Sequence, residues 1–479
     1  MPLLALAVLV LVISIDEPPP ADGDLRVVRL QIPDDQNALT YFQQAIDKLD
    51  LPKDDEPAME SPAPPPKVKP LPGEEPDPNE PRPTRKQRWH ALTRGDVEWD
   101  QPIADEVLKR NAGALALWER GIDAPHYQAP LASPYSSNQK EVPLHWWSYH
   151  NLANVVGVAS RDRARRGDHE GAFEDALNLV RFGQQVESGE YLVSLTIKGM
   201  GTCLMCDQVK TCTLPSSRLR HYAAELAKYP CEAQALADAF RVEYFCQVSG
   251  IEDVRSGEVS WAYSNALWPA GPQQGPTGPT VRFLWRALGG PLFKPNRTRR
   301  LFAETMRMAI EDAPKSYKDA RATDPRMRAF SLPKSVLQGN VIGDALYRLL
   351  MPELRGAHKF KCVANVGLAA TRTLLAMKAY KLDKGRLPET LEQLVPDYLD
   401  AVPIDDFDGK PLRYNAAKKI LYTVGKDLED NGGTTKQEFI DARIRELHFD
   451  PNDVQPDQLS DFEAGYPWEA PDPAFAIEF

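Results

Sequence analysis

Apolar residues recur at steps of three and four through most of the first 384 positions, and each such run predicts an amphipathic helix. The first spans Asp34 to Leu49. Ala38, Tyr41, Phe42, Ala45 and Leu49 share one face there, and Asp34 or Asp35 is placed to cap it. Ile103 to Ile122 aligns Leu108, Leu115, Trp118 and Ile122, and His145 to Arg166 turns Leu152, Val155, Val156 and Ala159 inward. Gly167 ends that helix, and Asp168 caps the next, which runs through Val186. Tyr191–Thr213, Ser216–Lys228 and Glu232–Val248 complete an antiparallel helical domain over residues 87–255. Residues 256–357 add an irregular stretch and two helices, Leu301–Ala313 and Lys334–Leu350. A last long helix, Lys359 to Lys384, carries the seam Val363, Val366, Ala370, Thr373, Met377, Tyr380. This is a narrow stripe suited to packing on protein.

The pattern changes after Gly385. Gly385 stops the long helix and Pro388 cannot continue it. Thr390 to Val395 makes one helical turn, and Pro396 and Pro403 keep Tyr398-Leu399 extended. Asp408-Gly409 predicts a tight turn, because glycine reaches positive φ without a steric penalty. Pro411–Tyr414 and Lys419–Val424 predict two antiparallel strands, and Gly425 to Gly433 an acidic loop. The predicted fold class is therefore mainly α: a helical domain with repeat-like packing, then a small α+β module over residues 358–448. Residues 449–479 form an acidic tail, expected to be disordered or to lie over the surface.

Residues Val363 to about Glu438 resemble the C-terminal half of the major pseudopilin of type II secretion systems. The matching signals are Gly385, Pro388, Leu394, Pro403, Asp405, Gly409, Pro411, Tyr414, Gly425 and Asp427, in that order. The resemblance implies a helix leading into a pseudopilin-like turn, strand and acidic loop. It departs from the family in one respect. A pseudopilin begins with an oily helix, whereas here the equivalent helix follows more than 350 residues and carries Lys359, Lys361, Arg372, Lys378, Lys381 and Lys384. The chain as a whole also resembles a group of bacterial envelope proteins in which a membrane anchor and a helical domain precede the same module; no activity comes with that likeness. The run Gly167 to Ala176 resembles tetratricopeptide-type hairpins, although no 34-residue period is present.

Charge and the chain ends extend this picture. The net charge of −11 argues against nucleic acid as a partner, since phosphate binding needs a basic face. Leu3 to Ile15 is apolar apart from Ser14, and residues 1–16 read as a membrane anchor or a signal segment. Thirteen helical residues span about 20 Å, short of the ~30 Å hydrocarbon core, so an anchor here implies a start site placed too late. A buried N-terminal element is the alternative. Residues 17–86 hold the first helix and a linker with twelve prolines between positions 52 and 83. Either membrane reading places the body outside the cytoplasm, where disulfides can form. The six cysteines, Cys203, Cys206, Cys212, Cys231, Cys246 and Cys362, read first as small buried apolar residues.

The best candidate for a site is the loop Asp427-Leu-Glu-Asp430-Asn431-Gly-Gly433. Calcium takes six to eight oxygens, and Asp427, Asp430 and Asn431 can supply three. The matching pseudopilin loop binds calcium, so the resemblance implies that cofactor here; a glycine-ended acidic turn is the alternative. Asp405, Asp406 and Asp408 look like paired catalytic carboxylates, but turn-making is their expected role. His145 and His150 are spaced wrongly for one helical face, and Arg161, Arg163, Arg165 and Arg166 read as a solvated cluster near a helix C-terminus. No phosphate loop, zinc-protease motif or nucleophile elbow is present. Two functions are compatible with this. One is a non-enzymatic, membrane-tethered extracytoplasmic scaffold that presents the C-terminal module to a protein partner. The other is an extracytoplasmic hydrolase with a site assembled from distant residues.

Overall fold

Twelve helices carry the chain among the residues described, which in this computed structural model are 15–52, 85–94, 99–131, 146–256, 293–320, 335, 338–447 and 467–479. In order they are α1 (Ala38–Asp47), α2 (Arg85–Arg94), α3 (Gln101–Ile122), α4 (Trp146–Arg165), α5 (His169–Val186), α6 (Tyr191–Thr211), α7 (Ser216–Leu226), α8 (Ala233–Ser256), α9 (Pro295–Asp312), α10 (Val341–Leu350), α11 (Leu354–Lys384) and α12 (Lys436–Glu446). The fold is mainly helical, with small antiparallel sheets near its C-terminal end. The apolar run up to Ser14, most of the proline-rich linker, residues 257–292 and His145 lie outside the described residues.

Local signals set several boundaries as expected. The Asp168 side chain accepts the Gly171 N–H at the start of α5, and Gly167 has φ +84°. Other boundaries moved. Asp34–Gln36 is a short 3-10 turn, and Asn37 is the cap of α1, accepting the Leu39 N–H. Helix α9 starts six residues before Leu301, at Pro295, because proline has no N–H to leave unpaired in a first turn. Its N-terminal turn is covered by the acidic stretch after Ile15. Asp16 accepts the Asn296 N–H, Arg297 pairs with Glu17 at 2.9 Å, and Arg299 pairs with Asp22 at 2.6 Å.

Helix α11 is the axis of the molecule, and its narrow seam is corrected. The periodic apolar positions alone do not define its buried face: Cys362, Val366, Gly367, Ala369, Ala370, Thr371, Thr373, Leu374 and every residue from Leu375 to Tyr380 are buried. Small residues account for the difference, since they let α6, α7 and α8 close in from several sides while adding little to an apolar pattern. Two of its lysines are buried as helix caps. The Lys378 ammonium donates to the carbonyls of Val209 and Cys212 at the end of α6, and Lys361 donates to Ala313 and Lys315 beyond α9. Cations there meet the negative ends of two helix dipoles. Helices α5 and α6 pack most closely; a Cβ on Gly183 would lie 2.7 Å from the Ser194 carbonyl oxygen.

After Gly385, at φ +73°, the chain forms β1 (Ile404–Asp405), β2 (Lys410–Pro411), β3 (Arg413–Asn415) and β4 (Ile420–Tyr422). The Asp408-Gly409 turn joins β1 to β2 as expected, with Gly409 at φ +76°. Strands β3 and β4 form the expected antiparallel pair, Arg413 opposite Tyr422. The end of the acidic tail is not a loose cover. Ala474–Ala476 is β5, antiparallel to β4 with Leu421 opposite Phe475. One hydrophobic core runs from Phe42 in α1 through Phe182, Met205 and Leu375 to Leu421 and Ile477.

Candidate functional site

Helix α6 has two faces with different chemistry. One face repeats Leu192, Leu195/Thr196, Gly199, Thr202/Cys203 and Cys206 at helical spacing. Opposite stand Phe360, Val363, Gly367, Thr371 and Leu374 of α11, and the third wall is Ile420, Trp468 and the strand Ala474–Ala476. Together they enclose a cleft of about 780 Å³ between the helical body and the C-terminal sheet. Leu192 and Phe360 line it with half their surface exposed, 54% and 52%. Of its charged residues, Lys210 pairs with Glu478, which also lines the cleft, at 3.0 Å, and Lys418 pairs with Glu438 at 2.9 Å. Among the described residues that line it there is no histidine.

Both thiols of Cys203-x-x-Cys206 reach this cleft. Cys203 shows surface to it, yet protein atoms crowd its sulfur, and this burial pushes the thiol up to about 11. Burial pushes Cys206 up to about 12, and its sulfur lies 3.1 Å from the Thr371 hydroxyl. Both stay protonated at neutral pH and are poor nucleophiles. None of the six cysteines is in a disulfide; four are buried, one is half-buried and Cys203 is exposed.

The other face of α6 carries a buried polar chain that pattern reading missed. The Lys198 ammonium meets Glu187 at 2.9 Å, Gln184 at 2.8 Å and the Pro230 carbonyl at 3.2 Å. Next in line, the Cys231 N–H donates to Asn365, and Asn365 donates to Asp406 at 2.9 Å. Lys361 lies 3.5 Å from Asp406. Burial, reinforced by Lys361, lowers His358 to about 4, so its imidazole is neutral. One signal was available in the sequence: Lys198 is the only charge between Tyr191 and Met205. The arrangement ties α5, α6, α11 and the β1–β2 turn together.

The remaining candidates resolve as contacts within the protein. Arg161 donates to the Leu92 and Thr93 carbonyls at the end of α2, Arg163 pairs with Asp175, Arg166 with Asp105 and Asp162, and Arg165 lies over Trp99. Arg163, Arg165 and Arg166 remain exposed near the end of α4, as the solvated-cluster reading expects, and the same side chains also join neighbouring helices. His150 is half-buried and shifted down by desolvation.

In the acidic loop, Asp427 accepts the Glu429 N–H. Asp430 accepts from Arg413 at 2.9 Å, from the Tyr422 hydroxyl and from the Gly432 N–H. The Asn431 N–H donates to Asp472, a buried carboxylate from the tail that also accepts the Gly433 N–H. Asp405 and Asp408 also turn to Arg413, at 3.1 and 2.6 Å. Among the described residues, no group of three His, Cys, Asp or Glu side chains is placed to hold a metal ion. Asp427, Asp430 and Asn431 as arranged do not fit a calcium ion, since Asp430 is committed to a guanidinium.

Among the described residues no helix is long and apolar enough to cross a membrane. No protein-family model, no curated protein and no solved structure matches this chain.

Proposed function

We propose that this chain is a non-enzymatic docking scaffold of the cell envelope, whose cleft receives an apolar segment of a protein partner. The observation that carries this is the cleft itself: about 780 Å³, mostly apolar between α6 and α11, with Leu192 and Phe360 exposed along it. Apolar grooves of this kind take the anchor residues of a helix or an extended segment. The chemistry of the lining supports binding over catalysis, because its thiols are protonated and Lys210, Glu478 and Lys418 are held in ion pairs. The apolar residues before Asp16 supply the membrane tether in this reading, and the pseudopilin-like character of the C-terminal module and the repeat-like character of the helical domain belong to the same proposal. Asp16 and Glu17 are held on α9, so the body would sit close against the membrane surface and not at the end of a long leash.

The test is site-specific photo-crosslinking in cells. A photoreactive residue is placed at Leu192 or Phe360, with exposed Leu382 as the control. A discrete adduct is expected from the first two positions and not from the third. The Gly199→Phe variant should abolish it. A Cβ at Gly199 meets nothing within 4 Å, so the ring fills the cleft without disturbing the helix. Adducts that persist in the filled variant, or that form equally at Leu382, sink the proposal.

A further inference from the structure

The acidic loop does not fit the calcium ion that the pseudopilin resemblance implies, and we infer that the guanidinium of Arg413 is the cation of this module in its place. A divalent ion in a protein loop does two things. It neutralises carboxylates that converge from separate segments, and it cross-links those segments. Arg413 does both. Its Nη1 donates to Asp405 at 3.1 Å, its Nη2 to Asp408 at 2.6 Å and its Nε to Asp430 at 2.9 Å. Each of the three nitrogens thus serves a different carboxylate. The three carboxylates come from β1, from the β1–β2 turn and from the acidic loop, and Arg413 reaches them from β3.

The other oxygens of these carboxylates are also engaged. Asp405 accepts the Phe407 and Val424 N–H groups and the Thr423 hydroxyl. Asp408 accepts the Lys410 N–H. Asp430 accepts from Tyr422 and Gly432. A calcium ion needs six to eight oxygens, and here it would have to displace both a bound cation and these donors. The geometry also requires arginine. A planar fork addresses several acceptors at fixed angles, whereas a lysine ammonium is a point charge on a flexible stem. Arg413 is 14% exposed and Asp405 is fully buried, so the arrangement faces solvent only at Asp430, which is half exposed. The module's fold then does not depend on the calcium outside a cell, and the charge that closes its loops is built into the chain.

The experiment uses the full chain in calcium and in chelator, read by thermal unfolding and by terbium emission. Tyr422 sits against Asp430 and would sensitise a lanthanide bound there. The wild type is expected to melt at the same temperature in both buffers and to give no sensitised emission. The Arg413→Ala variant leaves three carboxylates around an empty place. It is expected to melt lower in chelator, to recover in calcium and to give terbium emission. Arg413→Lys keeps the charge without the fork and is expected to melt below wild type, which covers the case in which the alanine variant does not fold. A wild-type melting temperature that rises in calcium, wild-type terbium emission, or an Arg413→Lys protein that melts with the wild type would each overturn the inference.

Discussion

Lys198 and Glu187 form an ion pair 2.9 Å long in which both side chains are almost completely withdrawn from water, 1% and 2% exposed. Burial shifts the Glu187 carboxyl upward, opposed by Lys198 itself, so the pair offsets a desolvation cost that neither partner could bear alone. Removing one partner should therefore be far worse than removing both. Lys198→Met is expected to lose roughly 3–5 kcal/mol of stability, and Lys198→Met with Glu187→Leu to regain most of it. Denaturant unfolding of both variants checks this. A double variant as unstable as the single one would show that the pair contributes packing and not charge compensation.

Two further acids, buried Asp175 and half-buried Glu190, set a pH dependence. Desolvation raises Glu190 from its ordinary 4.5 to about 7 and Asp175 from 3.8 to about 7. Both bind a proton more tightly in the folded chain than in the unfolded one. The stability they confer is complete below the unfolded values and is lost as pH rises through about 7. Glu190→Gln removes one of these titrations. The wild type minus variant difference in melting temperature is expected to fall between pH 4.5 and 7. A difference that stays constant over that window would place Glu190 in solvent.

The parts of this fold that were legible in the sequence rest on contacts between near neighbours. Asp168 caps α5 through Gly171, and Asp408 with Gly409 turns β1 into β2; both are local geometry. What escaped is held by partners far along the chain. The Lys378 ammonium finds the Cys212 carbonyl 166 residues away, and Asp472 finds the Gly433 amide 39 residues away. A lysine in a helix reads as surface until its acceptor is known, and an acidic tail reads as solvated until it has a strand to pair with. The same holds for the candidate site. Asp427 and Asp430 of the acidic loop were visible, but Arg413, which engages Asp430, carried no signal in its own spacing.

The location expected from the apolar N-terminal run can be checked in cells. Protease added to spheroplasts is expected to digest the body, because the proposal places it outside the cytoplasmic membrane. Protection in intact spheroplasts with digestion only after lysis would remove the envelope from the proposed function. It would leave the cleft untouched, since that rests on α6, α11 and β5.

The segment from Pro467 to Phe479 is one wall of the cleft and is fastened at separate points. Strand β5 pairs with β4, the Thr423 N–H donates to the Pro473 carbonyl at 3.1 Å, and the Thr434 N–H donates to the Asp472 carbonyl at 3.0 Å. Lys381 holds the Phe479 carbonyl oxygen at 2.7 Å. A chain shortened after residue 466 should keep β3 paired with β4, because that pairing is made without the tail. It should lose the acceptors of Thr423 and Thr434 and open the cleft on the side of Ile420. Hydrogen exchange separates these outcomes. The Thr423 and Thr434 amides are expected to exchange faster in the shortened chain, while the amides that pair β3 with β4 keep their protection. Faster exchange throughout β3 and β4 would mean that the two-stranded hairpin cannot stand alone and that the tail is part of its minimal fold. Unchanged exchange at Thr423 and Thr434 would mean that the tail does not hold this wall, and the docking surface would then have to be redrawn without β5.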